Sequence, residues 1–303
     1  MSDPMQRWTA AMRADDYESA WTICDAVLAA QDPATRDDPA LPYHRRWVWD
    51  GRAFDGRDVL VRCYHGLGDT IQFARFLPLL AKRAASVTLE VQPALAGLLA
   101  GVPGIDRLVP FDVARPLPPA ACDIEITELG HALRADPRAT PPPYLHAPPA
   151  ALPPGTIALC HRTATGWDEA RCAPAALFEP LCRAYPCLSV MPEPTALPVR
   201  NPQGCSTDMA ETAALLAGAA LVVTVDTMVA HLAGALGRPT SLLLKAGPDW
   251  RWAPERRTSS WYPATRLYVQ PRAGDWGAVA AAVMRDLGRR DGDGATSVAS
   301  AAA

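Results

Sequence analysis

The stretch Cys63-Tyr64-His65-Gly66-Leu67-Gly68-Asp69-Thr70 joins a run with strand character to a run with helix character. Upstream, residues 58–63 are short and rich in β-branched and other apolar residues, as is typical of a buried parallel strand. Downstream, apolar residues from Ile71 to Leu80 repeat at helical spacing. The sequence therefore predicts a strand, a glycine turn and a helix, and such a turn is where an α/β fold normally holds its ligand.

The glycines and the acid of this turn admit two interpretations. Gly66 and Gly68 would let the backbone take positive φ and approach a ligand, and the N–H groups of the first helical turn favour anions. Asp69 can be a helix cap or a catalytic base. His65 is a candidate contact to an acceptor or donor, although a lone histidine at a strand end is often structural.

Composition excludes several classes of protein. The 303 residues, 49% hydrophobic and 20% charged, indicate a globular protein long enough for two domains. A net charge of −3 with only two lysines argues against a nucleic-acid partner. No leader-like start and no apolar run of roughly 18–20 residues is present, so we expect a cytoplasmic protein. Eight cysteines without CxxC spacing predict reduced thiols and no metal site.

Alternating strand and helix patterns predict two α/β units with parallel sheets. We assign residues 1–40 to a helical hairpin that resembles one tetratricopeptide repeat, 41–150 to a first Rossmann-like domain and 151–288 to a second. Eight prolines between Pro137 and Pro154 predict a stiff linker between these domains. The Asp-, Gly-, Ser- and Ala-rich residues 289–303 are expected to be a disordered tail.

The individual predicted elements are strands over 58–63, 86–91, 105–109, 123–126, 156–160, 188–190, 220–225 and 240–244, and helices over 70–83, 93–100, 174–184, 208–218, 227–236 and 275–288.

A second strand-to-helix junction lies at Val225-Asp226-Thr227. Thr227 and His231 are four residues apart and would share one helix face. That face would offer a hydroxyl, first-turn N–H groups and an imidazole to a phosphate-bearing ligand. The alternative is that Asp226 only caps the helix and that His231 is a satisfied core histidine.

Taken together, these motifs resemble the heptosyltransferase family of bacterial glycosyltransferases (family 9). The resemblance spans about residues 41–287 and is greatest to the branch found at the C-terminus of tetratricopeptide-repeat proteins. It rests on the order and spacing of several short motifs. They are Gly66-Leu67-Gly68-Asp69, Pro78, Val102-Pro103-Gly104-Ile105-Asp106, Val225-Asp226-Thr227, the run from His231 to Pro239, Pro248-Asp249-Trp250-Arg251-Trp252 and Ser260-Trp261-Tyr262-Pro263.

The resemblance implies a GT-B fold, in which two Rossmann-like domains face a cleft. The first domain would bind the acceptor, and the second a nucleotide sugar, often ADP-heptose. Asp69 would be the catalytic base of a metal-independent transfer that uses no further cofactor. The acceptor could be a glycan, a lipid-linked glycan or a protein side chain. With a lipid-linked acceptor, the protein would be peripheral to a membrane.

Positive charge for a diphosphate would come from Arg162 or Arg171, of which Arg171 aligns better with the family. Two departures weaken this site: Met228 replaces a small residue, and Asp168 and Glu169 bring negative charge. A non-catalytic relative that binds a partner or a nucleotide sugar is therefore the alternative. A nucleotide-dependent oxidoreductase is disfavoured, since Ile71 stands where a dinucleotide motif needs its third glycine.

Overall fold

The chain is described by a computed structural model over residues 3–163 and 168–300, with side chains through Arg289. It begins with a helical hairpin of α1 (Pro4–Arg13) and α2 (Tyr17–Ala29). Both helices start at an aspartate, because the carboxylate of Asp3 accepts from Met5 N and that of Asp16 accepts from Ser19 N. The predicted hairpin is thus present.

A first parallel sheet follows, with strand order β3-β2-β1-β4. The register pairs Val59 with Val87 and with Cys122, so β1 is central. Its elements in chain order are β1 (Asp58–Arg62), α3 (Leu67–Phe73), α4 (Leu77–Ala81), β2 (Ser86–Val91), α5 (Ala96–Leu99), β3 (Arg107–Pro110), β4 (Cys122–Glu125) and α6 (Leu129–Ala132).

The helix after the glycine turn differs from the predicted single helix over 70–83. It starts three residues earlier, at Leu67, and it is interrupted by a 3-10 turn at Ala74–Phe76 before α4. Pro78 lies in the first turn of α4, where its missing N–H breaks no helical hydrogen bond. The earlier start places Asp69 inside the first turn of α3.

A second parallel sheet has strand order β6-β5-β7-β8-β9. Its last strand was not predicted, because a Trp-, Pro- and Arg-rich segment without clear periodicity precedes it. Its elements are β5 (Ile157–Cys160), α7 (Glu179–Ala184), β6 (Cys187–Ser189), α8 (Met209–Gly218), β7 (Leu221–Val225), α9 (Met228–Ala235), β8 (Thr240–Leu244), β9 (Thr265–Val269) and α10 (Trp276–Ser300).

The final helix α10 is longer than the predicted 275–288. It continues to Ser300, through most of the segment for which we predicted a disordered tail. Composition alone misses this, because a helix that has begun extends by one hydrogen bond per residue and alanine and arginine favour it. Residues 301–303 of the predicted tail lie outside the described residues.

Both sheets bring a turn of interest to a position suited to ligands. In the first, β1 lies between β2 and β4, and in the second, β7 lies between β5 and β8. Parallel sheets bind ligands beyond the carboxyl ends of their strands, where the strand order reverses. The glycine turn follows β1 and Asp226 follows β7, so both turns lie at such an edge.

The hairpin and the linker tie the two sheet units together. Trp8 of α1 lies edge-on to Trp250 at 4.8 Å between ring centroids, and Arg13 donates to Pro248 O at 2.7 Å. From α2, Asp25 pairs with His131 at 2.8 Å. In the linker, Tyr144 N donates to Ala235 O at 3.0 Å. The strands fall within the predicted domain ranges, and the boundaries themselves stay a prediction.

Across the part of the chain that the structure describes, no helix combines the length and the apolar character that a membrane crossing needs. The eight cysteines are free thiols.

Candidate active site

Helices α3 and α9 meet at their N-terminal turns, and Gly68 allows this contact. A Cβ built on Gly68 would lie 2.8 Å from His231 Cδ2 and 3.4 Å from Met228 Cα. Neither Gly68 nor Gly66 has positive φ, which corrects the predicted reason for these glycines. Gly68 is required for the close approach of two helices, and that approach brings the two turns to one cleft.

Asp69 lies at the third position of α3 and uses both carboxylate oxygens. Oδ2 accepts from Gly66 N at 3.0 Å, which caps the helix. Oδ1 accepts from Nη2 of Arg251, which belongs to the second sheet unit. The Asp69 side chain is 25% exposed, so a small molecule can reach it. The cap role is therefore filled by one oxygen, and the other faces the cleft.

Arg251 was not among the predicted site residues, although it belongs to the motif at 248–252. Besides Asp69, its guanidinium contacts Asp249 Oδ1 at 2.9 Å and Gln72 Oε1 at 2.5 Å. Burial alone would lower the pKa of Arg251, but the carboxylates of Asp69 and Asp249 raise it. The available signal was an arginine between Trp250 and Trp252, two residues after an acid.

Arg171 lies among carboxylates on the opposite wall of the cleft. Its Nη1 is 3.4 Å from Asp226 Oδ2, and its Nη2 is 4.0 Å from Asp249 Oδ2. Asp168 approaches Arg171 Nε at 3.4 Å and pairs with Lys245 at 2.5 Å. Burial raises the pKa of Asp226, and the charge of Arg171 opposes that shift. The structure thus brings predicted residues Arg171 and Asp226 together.

Arg162 does not join this group, because its side chain is exposed and makes no ion pair with any carboxylate among the described residues. Glu169, which we expected to weaken the anion site, is also exposed. Thr227 is the N-cap residue of α9 and makes no side-chain capping bond. This side chain therefore does not cap the start of α9, where a hydroxyl and backbone N–H groups lie close together.

His231 is buried beneath the α3–α9 contact. Its Nδ1 lies 3.1 Å from the hydroxyl of Tyr262, and its ring stacks on Trp252 at 5.5 Å. Burial, followed by the positive charges of Arg251 and others, holds the pKa of His231 well below its usual range. The imidazole is therefore neutral near pH 7 and adds no positive charge to the cleft. Trp252 and Tyr262 are fully buried packing residues.

His65 lies at the first-domain end of the site, one third exposed. Its Nδ1 is 3.1 Å from Oε1 of the buried Glu125. Burial opposes protonation, but the Glu125 carboxylate raises the pKa of His65. The amide of Gln92 donates to His65 O at 2.8 Å and accepts from Thr70 Oγ1 at 3.0 Å, which braces the turn. His65 can thus present a cation or a donor beside Asp69.

The cleft holds nearly balanced charge without any ligand. Three cationic side chains face four carboxylates at ion-pair distance. The cations are Arg171, Lys245 and Arg251, and the carboxylates are Asp69, Asp168, Asp226 and Asp249. An arriving diphosphate would compete with these carboxylates for the cations. In the described part of the chain, no three His, Cys, Asp or Glu side chains are placed to hold a metal ion.

Two parallel-sheet units that face each other across such a cleft define the GT-B class of fold. Residues 205–256, which include Asp226, Thr227, His231, Asp249 and Arg251, match the model of glycosyltransferase family 9 (heptosyltransferase). No curated protein sequence matches the chain.

Solved structures support the same fold. TibC, an iron-containing dodecameric glycosyltransferase of enterotoxigenic E. coli H10407, is 16% identical with a TM-score of 0.50, over 79% of this chain and 78% of its own. The E. coli ADP-heptose LPS heptosyltransferase II is 13% identical with a TM-score of 0.50, over 77% of this chain and 98% of its own. E. coli heptosyltransferase WaaC with ADP is 13% identical with a TM-score of 0.50, over 77% and 99%. The predicted GT-B fold is confirmed.

Proposed function

We propose that this protein is a glycosyltransferase that moves a sugar from a nucleoside-diphosphate donor to a hydroxyl acceptor. The observation that carries the proposal is the cleft itself. A partly exposed carboxylate, Asp69, lies on one wall, and Arg171 and the uncapped N-terminus of α9 lie on the other. A proton acceptor and an anion site on facing walls are the two requirements of this reaction.

In the proposed reaction, Asp69 Oδ1 takes the proton of the acceptor hydroxyl. The acceptor oxygen forms a bond to the anomeric carbon of the sugar, while the bond from that carbon to the diphosphate oxygen breaks. The electron pair leaves with the diphosphate. Asp69 must be ionised to act as the base, and its carboxylate lies in an ion pair with Arg251.

The diphosphate leaves with added negative charge, which the opposite wall would stabilise. Arg171 supplies a guanidinium, and Thr227 with the first turn of α9 supplies a hydroxyl and N–H groups. Arg251 lies between the base and this wall and would stabilise charge on both. These side chains provide the positive charge that a divalent metal provides in other transferases, so we propose transfer without a metal.

For the donor we propose an ADP-sugar, with heptose as the first candidate. The support is that Asp226 and Thr227 of the donor wall fall inside the segment matched by the family 9 model, although Arg171 lies before it, and that the structures of similar fold include one with ADP. His65 beside Asp69 would contact the acceptor, which we propose to be a glycan, lipid-linked glycan or protein. We propose a cytoplasmic protein, peripheral to a membrane if the acceptor is lipid-linked.

Asp69→Asn tests the base. Asparagine keeps an oxygen for Gly66 N, so the cap is retained, and Arg251 loses one ion pair but keeps its pairing with Asp249. We expect hydrolysis of ADP-heptose, in which water replaces the acceptor hydroxyl, to fall about 10²- to 10⁴-fold while ADP binding is unchanged. The rate of ADP release from ADP-heptose is measured for both proteins. Measuring it with and without a chelator of divalent metal ions tests the metal independence as well as the base.

The matched control for this test is Asp112→Asn. Asp112 also accepts from a backbone N–H, that of Ala114 at 2.9 Å, and also pairs with an arginine, but on the surface. Unchanged hydrolysis in the Asp69 variant would assign the base elsewhere. Hydrolysis that stops on chelation and returns with metal would contradict the metal-independent mechanism.

A second function, a non-catalytic binding protein, is favoured by two observations. The α3–α9 contact at Gly68 and Met228 fills space next to the donor wall, and four carboxylates already occupy three cations. Thermal shift with ADP, UDP, GDP and NAD separates the possibilities, because a ligand at 100 Kd adds about 2.7 kcal/mol to the unfolding free energy. Stabilisation by ADP without any turnover would favour the binding protein, and stabilisation by NAD alone would contradict both proposals.

A further inference from the structure

A cavity of about 300 Å³ lies between β9, α10 and the segment before β9. None of the residues that line it belongs to the cleft described above. Four of its lining residues are arginines, and one is an aspartate: Arg257, Arg266, Arg285, Arg289 and Asp286. The chain as a whole has a net charge of −3, so four arginines around one cavity are a local concentration of positive charge.

The backbone holds these arginines in place from three segments. Arg266 belongs to β9, the last strand of the second sheet, whose outer edge forms an antiparallel bridge with Thr258. Leu267 N donates to Arg257 O at 2.9 Å, which holds the segment of Arg257 on that edge. Arg285 and Arg289 are four residues apart on α10 and so share one helix face. The arrangement is built from a strand, its partner segment and a helix.

The one lining carboxylate is already engaged. Asp286 pairs with Arg266 at 2.6 Å and accepts from the hydroxyl of Tyr268 at 2.9 Å, while Arg289 is 4.0 Å away. Arg257 and Arg285 make no ion pair with any carboxylate in the described part of the chain. Both side chains are exposed to solvent, so at least two guanidinium groups at the cavity are unpaired and open to an arriving anion.

We propose that this cavity binds a phosphate group that carries at least two negative charges, as a phosphate monoester or a diphosphate. Guanidinium groups bind phosphate oxygens through paired N–H donors, and several of them converge here. A volume of about 300 Å³ is at the lower end of ligand pockets and suits a phosphate-bearing headgroup better than a whole nucleotide sugar. The same chemistry is offered by a free phosphate compound and by a phosphorylated lipid.

The test compares Arg257→Gln/Arg285→Gln with wild type in calorimetric titrations of inorganic pyrophosphate. Neither arginine has an ion-pair partner to lose, so the fold is expected to be retained. The control is Arg115→Gln/Arg272→Gln, which removes the same charge at positions 87% exposed and outside the cavity. We expect pyrophosphate affinity at this site to fall about tenfold or more in the first variant only, and to weaken as salt is raised.

A second arm uses phosphatidylcholine vesicles with and without phosphatidic acid, in co-sedimentation with the same three proteins. Loss of pyrophosphate binding in the cavity variant assigns the site to a free phosphate compound. Loss of phosphatidic-acid-dependent sedimentation in that variant, with pyrophosphate binding unaffected, assigns it to a lipid headgroup. If the cavity variant equals the control in both arms, the proposal is overturned. The comparison does not depend on the proposed transferase activity.

Discussion

At the scale of single residues, several carboxylates among the described residues are held by backbone N–H groups as well as by cations. Asp69 is one example, with Oδ2 on Gly66 N and Oδ1 on Arg251. Glu128 is another, because its carboxylate accepts from the backbone N–H groups of Val48, Trp49 and Glu125 at 3.3, 3.0 and 2.8 Å. In Asp69 one of the two oxygens contacts a cationic side chain, whereas both oxygens of Glu128 accept from the backbone.

Glu128 makes stability depend on pH. Burial raises its pKa to about 7, and its backbone hydrogen bonds only partly oppose that shift. The folded state therefore binds a proton that the unfolded state releases near 4.5, so the unfolding free energy falls as pH rises from about 4.5 to 7. We expect a loss of about 1–3 kcal/mol over this range. Urea denaturation at a series of pH values measures it.

Glu128→Gln removes the titrating group, and the slope between pH 4.5 and 7 is expected to flatten even though the variant is less stable at low pH. His65 contributes a slope of the same sign at higher pH, because its pKa is raised above 6.5 and its stabilisation is lost as the pH rises from that value through the raised one. The His65→Gln variant measures that share separately. An unchanged slope in Glu128→Gln would contradict the assignment.

At the scale of elements, the contact of α3 with α9 decides whether the two turns form one cleft. At this contact α3 has no room for a side chain at position 68. Gly68 meets the ring of His231 and the backbone of Met228, and His231 is held in turn by Tyr262 and Trp252. The ring therefore has little room to move away from an added Cβ.

Gly68→Ala is expected to lower the unfolding free energy by about 1–3 kcal/mol, because the new Cβ would lie 2.8 Å from His231 Cδ2. Gly97→Ala in α5 is the control, since nothing lies within 4 Å of its added Cβ. That change should be neutral or stabilising by up to about 1 kcal/mol. If chemical denaturation gave equal unfolding free energies for the two variants, the prediction that the α3–α9 contact has no room for a Cβ at position 68 would be wrong.

At the scale of the whole molecule, a buried arginine joins the two sheet units and the linker. Arg75 is 2% exposed and donates to Trp261 O at 3.1 Å, to Tyr144 Oη at 3.2 Å, and to Gln72 O at 3.1 Å. Its guanidinium also lies 5.0 Å from the ring of Tyr262. No carboxylate among the described residues pairs with it, so carbonyl and aromatic groups hold this charge.

Arg75→Met is expected to lower the unfolding free energy by about 2–4 kcal/mol, because several buried acceptors lose their donor. Arg75→Lys should recover only part of this, since an ammonium cannot reach acceptors on three segments at once. Arg115→Met, at an exposed position, should change stability by less than about 0.5 kcal/mol. A loss in Arg75→Met no larger than in this control would contradict the joining role.

The amino-acid sequence alone was sufficient for the fold class and for the two strand-to-helix junctions that carry Asp69 and Asp226. Apolar runs of strand length at 58–62 and 221–225, each followed by a turn and a helix, predict parallel strands, because hydrophobic periodicity is a local property. Asp226 stands directly after the second run, and Asp69 comes after the first run and the glycine turn. Two elements were predicted wrongly or not at all, namely the helix that is interrupted at 74–76 and the strand β9. In both segments the local sequence signals are weak.

Only the tertiary structure decided what these carboxylates contact. Asp69 and Arg251 are 182 residues apart, and Gly68 meets His231 from another sheet unit. No periodicity encodes such a pair, because its distance depends on how two sheets, a hairpin and a linker pack. The sequence by itself therefore determined the strands, the turns and the acids at their ends. The packing of the two units determined that Asp69 is paired with Arg251 and that a glycine at 68 is needed for space.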